Sequence, residues 1–145
     1  DHRGHGHTGR DHLGDFGVPG FDGLISDVVD YGAAIASDHR DLPLFLLGHS
    51  MGSFASQSVI LDHSDQYVGV VLSGSTVLDV LAAGLAQSEG PVGLEAFNAG
   101  FEPRTGYEWL SRDEAEVDAY IADPWCCRSA VRRDWFGSGP VFDRG

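Results

Sequence analysis

The sequence contains no lysine, so all nine of its basic residues are arginines, and 22 acidic residues outnumber them. The formal net charge is -13 at pH 7. A protein that binds nucleic acid or an anionic membrane needs a positively charged surface to neutralise phosphate groups. The charge balance therefore argues against both classes of partner, and the acidic excess, spread along the chain, is typical of a solvated surface.

Long apolar runs are also missing. No segment approaches the ~20 apolar residues that a membrane-spanning helix requires, and the chain does not begin with the basic and then apolar pattern of a signal peptide. The sequence therefore predicts a soluble protein without stable membrane insertion. We expect it in the cytoplasm.

Cysteine and methionine are scarce. The two cysteines, Cys126 and Cys127, are adjacent, so a bridge between them would close a strained ring and no disulfide framework can form. The single methionine, Met51, lies in the middle of the chain, so residue 1 is not a translation start. We expect a fragment or a processed piece of a longer protein, about one domain in length.

The apolar pattern alternates between helix and strand. Residues 1–20 are rich in glycine and histidine without apolar periodicity and predict a loop, and residues 22–37 then have helical spacing. Residues 44–47 are short and uniformly apolar, which predicts a buried parallel strand. A second helix extends to His63, and residues 67–74 predict a second strand. This order is typical of an α/β fold with two parallel strands and flanking helices.

Residues 76–126 do not continue this alternation. They predict short helices and loops without another strand, as expected of an insertion over the sheet. Ser111 precedes Glu114 by three residues, which is the spacing of a capping box and predicts a helix over 112–122 that ends before Pro124.

The central motif is Gly48-His49-Ser50-Met51-Gly52, which fits the G-x-S-x-G pattern of a nucleophile elbow between a strand and a helix. Such a turn holds the serine in an unfavourable backbone conformation. We expect side chains at 48 and 52 to collide with neighbouring atoms, so that glycine is required at both positions. The free N–H groups at the start of the helix stabilise an oxyanion, and Met51 N–H is the expected donor.

At these residues the chain resembles the α/β-hydrolase superfamily, and within it the monoacylglycerol lipase and lysophospholipase branch of serine aminopeptidase-like hydrolases. The similar segments are "DHRGHGHTG", "LPLFLLGHSMGS", "GVVLSGS" and "FNAGFEPRTGYEWLSRDEAEVDAYIADPWC". The resemblance implies a hydrolase core at 1–75, a helical cap at 76–126 and an early loop beside the active site. It also implies cleavage of monoacylglycerol or lysophospholipid esters through an acyl-enzyme at Ser50, without a cofactor.

Other candidate residues are weighed against structural roles. The initial loop carries four histidines that could converge on zinc, namely His2, His5, His7 and His12. No cysteine is near them in sequence and the resemblance explains this segment as a structural loop, so we expect no metal. His5 is retained as a residue lining the substrate pocket. Phe101 and Trp109 either line an acyl pocket or form the small core of the cap. His49 lines the pocket or packs beside the elbow.

A serine nucleophile needs a histidine base oriented by a carboxylate. After Ser50 the only histidine is His63, about 20 Å along the predicted helix at ~1.5 Å per residue, and His39 precedes the strand at its far end. The N-terminal histidines could lie on the correct side, but the resemblance gives them no base role. It places the triad acid and histidine in strands after the cap, so it implies that this chain lacks both. Residues 127–145 also depart from the family pattern, which we interpret as a frame shift near Cys126 or a divergent tail.

Two alternatives to ester hydrolysis stay open at this point. One is acyl transfer to an alcohol by the same residues. The other is a non-catalytic role in which unpaired strand edges associate with another chain, including a second copy.

Overall fold

The computed structural model describes residues 1–80, 83, 87 and 97–126. The elements follow in the order α1 (Gly20–Asp38), β1 (Phe45–His49), α2 (Met51–His63), β2 (Gly69–Ser73) and α3 (Glu114–Ala122). A short 3-10 turn at Ser64–Gln66 precedes β2. The predicted helices, strands and initial loop are confirmed, although β1 ends two residues later than expected. The interpretation of 127–145 as an atypical tail lies outside the described residues.

The two strands are parallel neighbours, paired from Phe45 with Gly69 to His49 with Ser73. The connection between them includes α2, which packs against the sheet, and α1 packs against α2. Parallel strands require such a crossover because their ends lie at opposite edges. The carboxyl ends of β1 and β2 therefore meet at one edge, where Ser50 and Gly74 follow.

One face of this sheet is exposed in the described part of the chain, so the prediction of a buried strand is wrong. Phe45 and Leu47 are 63% and 70% exposed, Val71 is 52% exposed, and Leu46 is only half-buried. Successive side chains alternate between the two faces of a strand. Leu46 and Gly48 therefore face α2, while Phe45 and Leu47 share the other face with Val71.

The main core lies where the initial loop, α1 and α2 meet. Its buried residues are Phe16, Phe21, Leu24 and Ala55, and Ile25, Met51 and Phe54 pack against them. The loop is fastened to α1 by Arg3, whose guanidinium donates two hydrogen bonds of 2.6 Å to the Asp27 carboxylate. The bonds from Arg3 lower the pKa of Asp27.

The second described segment, 97–126, contains α3. The predicted capping box is wrong, because the N-cap is Asp113, which accepts a hydrogen bond of 3.0 Å from Ala115 N. Ser111 Oγ instead accepts a bond of 3.0 Å from Asp113 N, so it orders the turn before the cap. Parts of the predicted 76–126 cap, namely 81–82, 84–86 and 88–96, lie outside the described residues. Among the described helices, none has the length and apolar character needed to cross a membrane.

Candidate active site at Ser50

Ser50 joins β1 directly to α2 in a left-handed backbone conformation. Its φ is 51° and its ψ is -121°, and among the described residues it is the only non-glycine with a positive φ. Such a conformation is sparsely populated by residues with a Cβ and persists only where surrounding bonds hold it. The exposed serine therefore stands at a sharp turn at the carboxyl edge of the sheet.

The glycines on either side of Ser50 have different roles. A Cβ at Gly48 would overlap the Gly52 carbonyl oxygen and the Ser56 hydroxyl, so glycine is required where β1 crosses α2. A Cβ at Gly52 would meet no atom within 4 Å. The expectation that glycine is sterically required at 52 is wrong, because in the first turn of α2 the Cβ position points into open space.

Backbone hydrogen bonds hold both peptides that flank Ser50. Ser50 N donates to Ser73 O at 2.9 Å, which ties the turn to the end of β2. Ser50 O accepts from Ser53 N at 2.8 Å and from Phe54 N at 3.3 Å. Since the first N–H groups of a helix have no partner within the helix, Met51 N–H is available to an incoming oxyanion.

His49 is held on the exposed face of the sheet. Its Nδ1 lies 3.0 Å from Ser73 Oγ, and a Cβ at Gly74 would come within 3.0 Å of the imidazole Cε1. Gly74 has a φ of 54°, so glycine suits this position both sterically and conformationally. His49 thus packs beside the elbow rather than reaching back to the adjacent Ser50 hydroxyl.

The initial loop lies against the cluster that contains Met51. The His5 ring stacks on buried Phe16 with centroids 5.7 Å apart, and Phe16 belongs to the core cluster on which Met51 packs. His7 contacts Trp125 at a centroid separation of 4.7 Å. These contacts bring the loop and the end of the 97–126 segment together on the side of α2 that carries Met51.

All seven histidines fall within the described residues, and none of their rings hydrogen-bonds Ser50 Oγ there. His63 ends α2 and His39 follows α1, as predicted, so both are remote from the start of α2. Burial, followed by the charge of nearby His5, lowers the pKa of His2. No three side chains of His, Cys, Asp or Glu converge in a metal-binding arrangement in the parts of the chain described.

The two aromatic candidates of the 97–126 segment lie in different surroundings. Phe101 is 50% exposed and lines a groove of about 360 Å³ with residues of α3 and the preceding turn, and no elbow residue lines that groove. Trp109 is half-buried and packs on Phe97 at 5.1 Å between centroids. Their placement as pocket-lining residues stays a prediction.

Beside Trp109, the Glu108 carboxylate organises the turn before α3. It accepts hydrogen bonds from Thr105 N and Thr105 Oγ1 at 2.5 Å, from Asn98 Nδ2 at 2.7 Å and from Gly106 N at 3.1 Å. These donors, led by the Thr105 hydroxyl, lower the pKa of Glu108 to about 2. Asn98 in turn accepts a bond of 3.2 Å from Trp109 N. Glu108 is a structural anchor of this segment.

Sequence reasoning missed a set of polar residues that supports the elbow from α2 and the segment after β2. Ser53 is fully buried, and its hydroxyl lies 2.6 Å from Ser50 O and 2.9 Å from Ser75 Oγ. Gln57 Nε2 donates to Ser75 Oγ at 3.0 Å and to Thr76 O at 2.9 Å. The available signal was the series of serines at helical positions in α2, which interrupts its apolar pattern.

Comparisons with known proteins identify the family of this chain. The chain matches the family described as serine aminopeptidase, S33, over residues 1–139. It is 33% identical over 141 residues to monoglyceride lipase of Mus musculus, covering 91% of this chain and 43% of that protein. It is also 33% identical over 135 residues to monoacylglycerol lipase of Mycolicibacterium smegmatis, covering 86% and 44%. The chain thus spans less than half the length of these relatives.

A solved structure has the same fold. It is the crystal structure of a thermostable carboxyl esterase from Bacillus coagulans, which superposes with a TM-score of 0.71 at 24% identity and covers 94% of this chain and 51% of the esterase. The superposition confirms the predicted α/β-hydrolase architecture, and the family match covers most of the sequence. The chain belongs to the serine aminopeptidase S33 family of α/β hydrolases.

Proposed function

We propose that Ser50 is the nucleophile of a serine carboxylic-ester hydrolase that acts on esters of the monoacylglycerol or lysophospholipid type. The observation that carries this proposal is the left-handed backbone of Ser50 between β1 and α2, which exposes a hydroxyl beside the free N–H of Met51. The names of the mouse and mycobacterial relatives, which are lipases of monoglycerides and monoacylglycerols, support the substrate class.

The chemistry follows from the position of these two groups. Ser50 Oγ attacks the ester carbonyl carbon, and the carbonyl oxygen becomes an oxyanion that accepts a hydrogen bond from Met51 N–H. Collapse of the tetrahedral intermediate releases the alcohol, which leaves with a proton, and an acyl group stays on Ser50. Water then hydrolyses the acyl-enzyme and restores the hydroxyl.

A general base is needed for both steps, and none of the seven histidines, all of which the structure describes, hydrogen-bonds Ser50 Oγ. Loss of a triad member typically lowers the rate by several orders of magnitude. We therefore expect the 145-residue chain to turn over esters barely above background. An ester with a good leaving group still acylates Ser50 slowly. The acyl-enzyme accumulates because its hydrolysis, which expels the poorer serine alkoxide leaving group without a base, is slower still.

The experiment is intact-mass analysis of the chain after incubation with p-nitrophenyl butyrate. We expect the mass of one butyryl group, located by peptide mapping to Ser50 and absent from the Ser50→Ala variant. The absence of acyl group on Ser50 at saturating ester would contradict the proposal. Glycerol added to the acylated chain distinguishes the alternative of acyl transfer, because a transferase forms butyrylglycerol faster than butyrate.

The exposed sheet face favours a second role, self-association with another copy of the chain. Phe45, Leu47 and Val71 form a contiguous apolar surface, and each of the two described strands also has an edge without a described partner. Such faces and edges are sites of pairing between chains. The net charge of -13 opposes association, so we expect the associated fraction to rise with salt concentration. Sedimentation at two salt concentrations measures this fraction, and a salt-independent monomer would contradict the role.

A further inference from the structure

The segment that follows β2 is joined to Ser50 by a continuous chain of hydrogen bonds. Gln57 Nε2 and the hydroxyls of Ser75 and Ser53 form this chain, with separations of 3.0 Å and 2.9 Å, and it ends at Ser50 O at 2.6 Å. We call these three residues the Gln57–Ser75–Ser53 chain. It lies outside the reacting groups, and the resemblance to known hydrolases assigns it no role.

The direction of each hydrogen bond follows from the chemistry of the groups. A carbonyl oxygen only accepts and a hydroxyl has one hydrogen, so Ser53 donates to Ser50 O and the Ser75 hydroxyl donates to Ser53 Oγ. The Gln57 amide uses its two hydrogens on Ser75 Oγ and Thr76 O. The three hydrogen bonds that link Gln57 to Ser50 O therefore all have the same direction, towards Ser50, and consecutive bonds of this kind polarise one another.

The Gln57–Ser75–Ser53 chain ends at the peptide group that contains the proposed oxyanion donor. Ser50 C=O and Met51 N–H belong to one planar trans peptide, so they point in opposite directions. Three donors hold the carbonyl towards α2, namely Ser53 N, Ser53 Oγ and Phe54 N. Holding the carbonyl there directs Met51 N–H outwards, to the side on which the Ser50 hydroxyl is exposed.

The end of β2 holds the other peptide beside Ser50, because Ser73 O accepts from Ser50 N at 2.9 Å. Residues 73–75 therefore fix the backbone on both sides of the left-handed serine. We propose that the Gln57–Ser75–Ser53 chain consists of positioning residues that orient Met51 N–H as the oxyanion donor. This inference rests on the proposed function of Ser50, which it extends to residues that never touch the substrate.

The test compares Ser75→Ala with Ser75→Thr, which keeps the hydroxyl, and with Ser58→Ala as a control. Ser58 is a buried serine of α2 whose hydroxyl lies 3.4 Å from Phe54 O, and it takes no part in the Gln57–Ser75–Ser53 chain. Ser75 itself is exposed, so we expect its replacement to leave the fold intact. Misplacing an oxyanion donor reduces the reaction rate, and we expect Ser75→Ala to lower the saturated rate of Ser50 acylation about 10-fold with the ester concentration at half-saturation unchanged.

A second measurement reads the donor without any reaction. Met51 is the single methionine, so [¹⁵N]methionine labelling yields one backbone amide resonance in an NMR spectrum. We expect this resonance to shift in Ser75→Ala and to keep its wild-type position in Ser75→Thr and Ser58→Ala. An unshifted resonance in Ser75→Ala, or an acylation rate within twofold of wild type, would overturn the proposal. If wild-type Ser50 is not acylated at all, the proposed function fails, and the Met51 resonance alone decides the positioning role.

Discussion

The two glycines of the elbow motif predict opposite effects of the same substitution. In Gly48→Ala the added methyl overlaps the Gly52 carbonyl oxygen, which is backbone and moves only if α2 shifts away from β1. Overpacking of this kind destabilises the folded state by roughly 1–3 kcal/mol. Alanine also lowers the conformational entropy of the unfolded chain, which offsets about 0.4–1 kcal/mol of that loss. We therefore expect Gly48→Ala to lower the free energy of unfolding by about 1–2 kcal/mol.

Gly52→Ala is the matched control, four residues away at the start of α2. Its methyl enters open space, and alanine is favoured over glycine in a helix by roughly 0.8–1 kcal/mol, so this variant should be slightly more stable than wild type. Urea unfolding followed by far-UV circular dichroism measures both variants. With a denaturant slope of about 1–3 kcal/mol/M, the two midpoints should differ by about 0.6–3 M. A Gly48→Ala midpoint at or above that of Gly52→Ala would refute the close approach of β1 and α2.

Three further predictions concern the loop, the 97–126 segment and the sheet face. Asp27→Asn weakens the paired bonds from Arg3, so we expect faster proteolysis of the initial loop, and cleavage at the wild-type rate would contradict that anchoring role. The pKa of Glu108 is depressed, so the stabilisation that its carboxylate gives to the folded state is complete above pH 4.5 and is lost as the pH falls towards about 2. Tryptophan fluorescence should follow this loss in wild type and stay constant over that pH range in Glu108→Gln. Leu47→Ser with Val71→Ser should reduce sedimentation of associated species while changing the free energy of unfolding by no more than about 0.5 kcal/mol each, and unchanged association would exclude this face.

Local sequence patterns were sufficient to predict the helices, the strands and the elbow. The apolar run before Gly48 and the helical pattern after Ser50 determine a strand, a tight turn and a helix, and these local preferences agree with the fold. The role of Gly52 was not predictable, because the motif alone does not show which glycine faces a neighbouring backbone. That distinction depends on the angle at which β1 meets α2.

Burial and long-range polar contacts could not be predicted from the local sequence pattern. A uniformly apolar strand is equally consistent with one or two covered faces. The expectation that Phe45 and Leu47 are buried is wrong, because the described residues leave both side chains mostly exposed. The bond between Ser53 and Ser75 joins residues 22 positions apart, and no spacing rule connects them. Such contacts follow only from the register in which β1 pairs with β2.

The most direct test of the account is selective modification of Ser50 by a fluorophosphonate in the folded chain. Peptide mass spectrometry compares Ser50 with Ser26 and Ser37, which are exposed serines of α1, and with the same chain unfolded in urea. Because the elbow supplies the exposed hydroxyl and one oxyanion donor, we predict that folded Ser50 reacts at least about 10-fold faster than the α1 serines and that urea abolishes this preference. Equal modification of the three serines, or the same preference in urea, would contradict the claim that Ser50 is a nucleophile prepared by the fold.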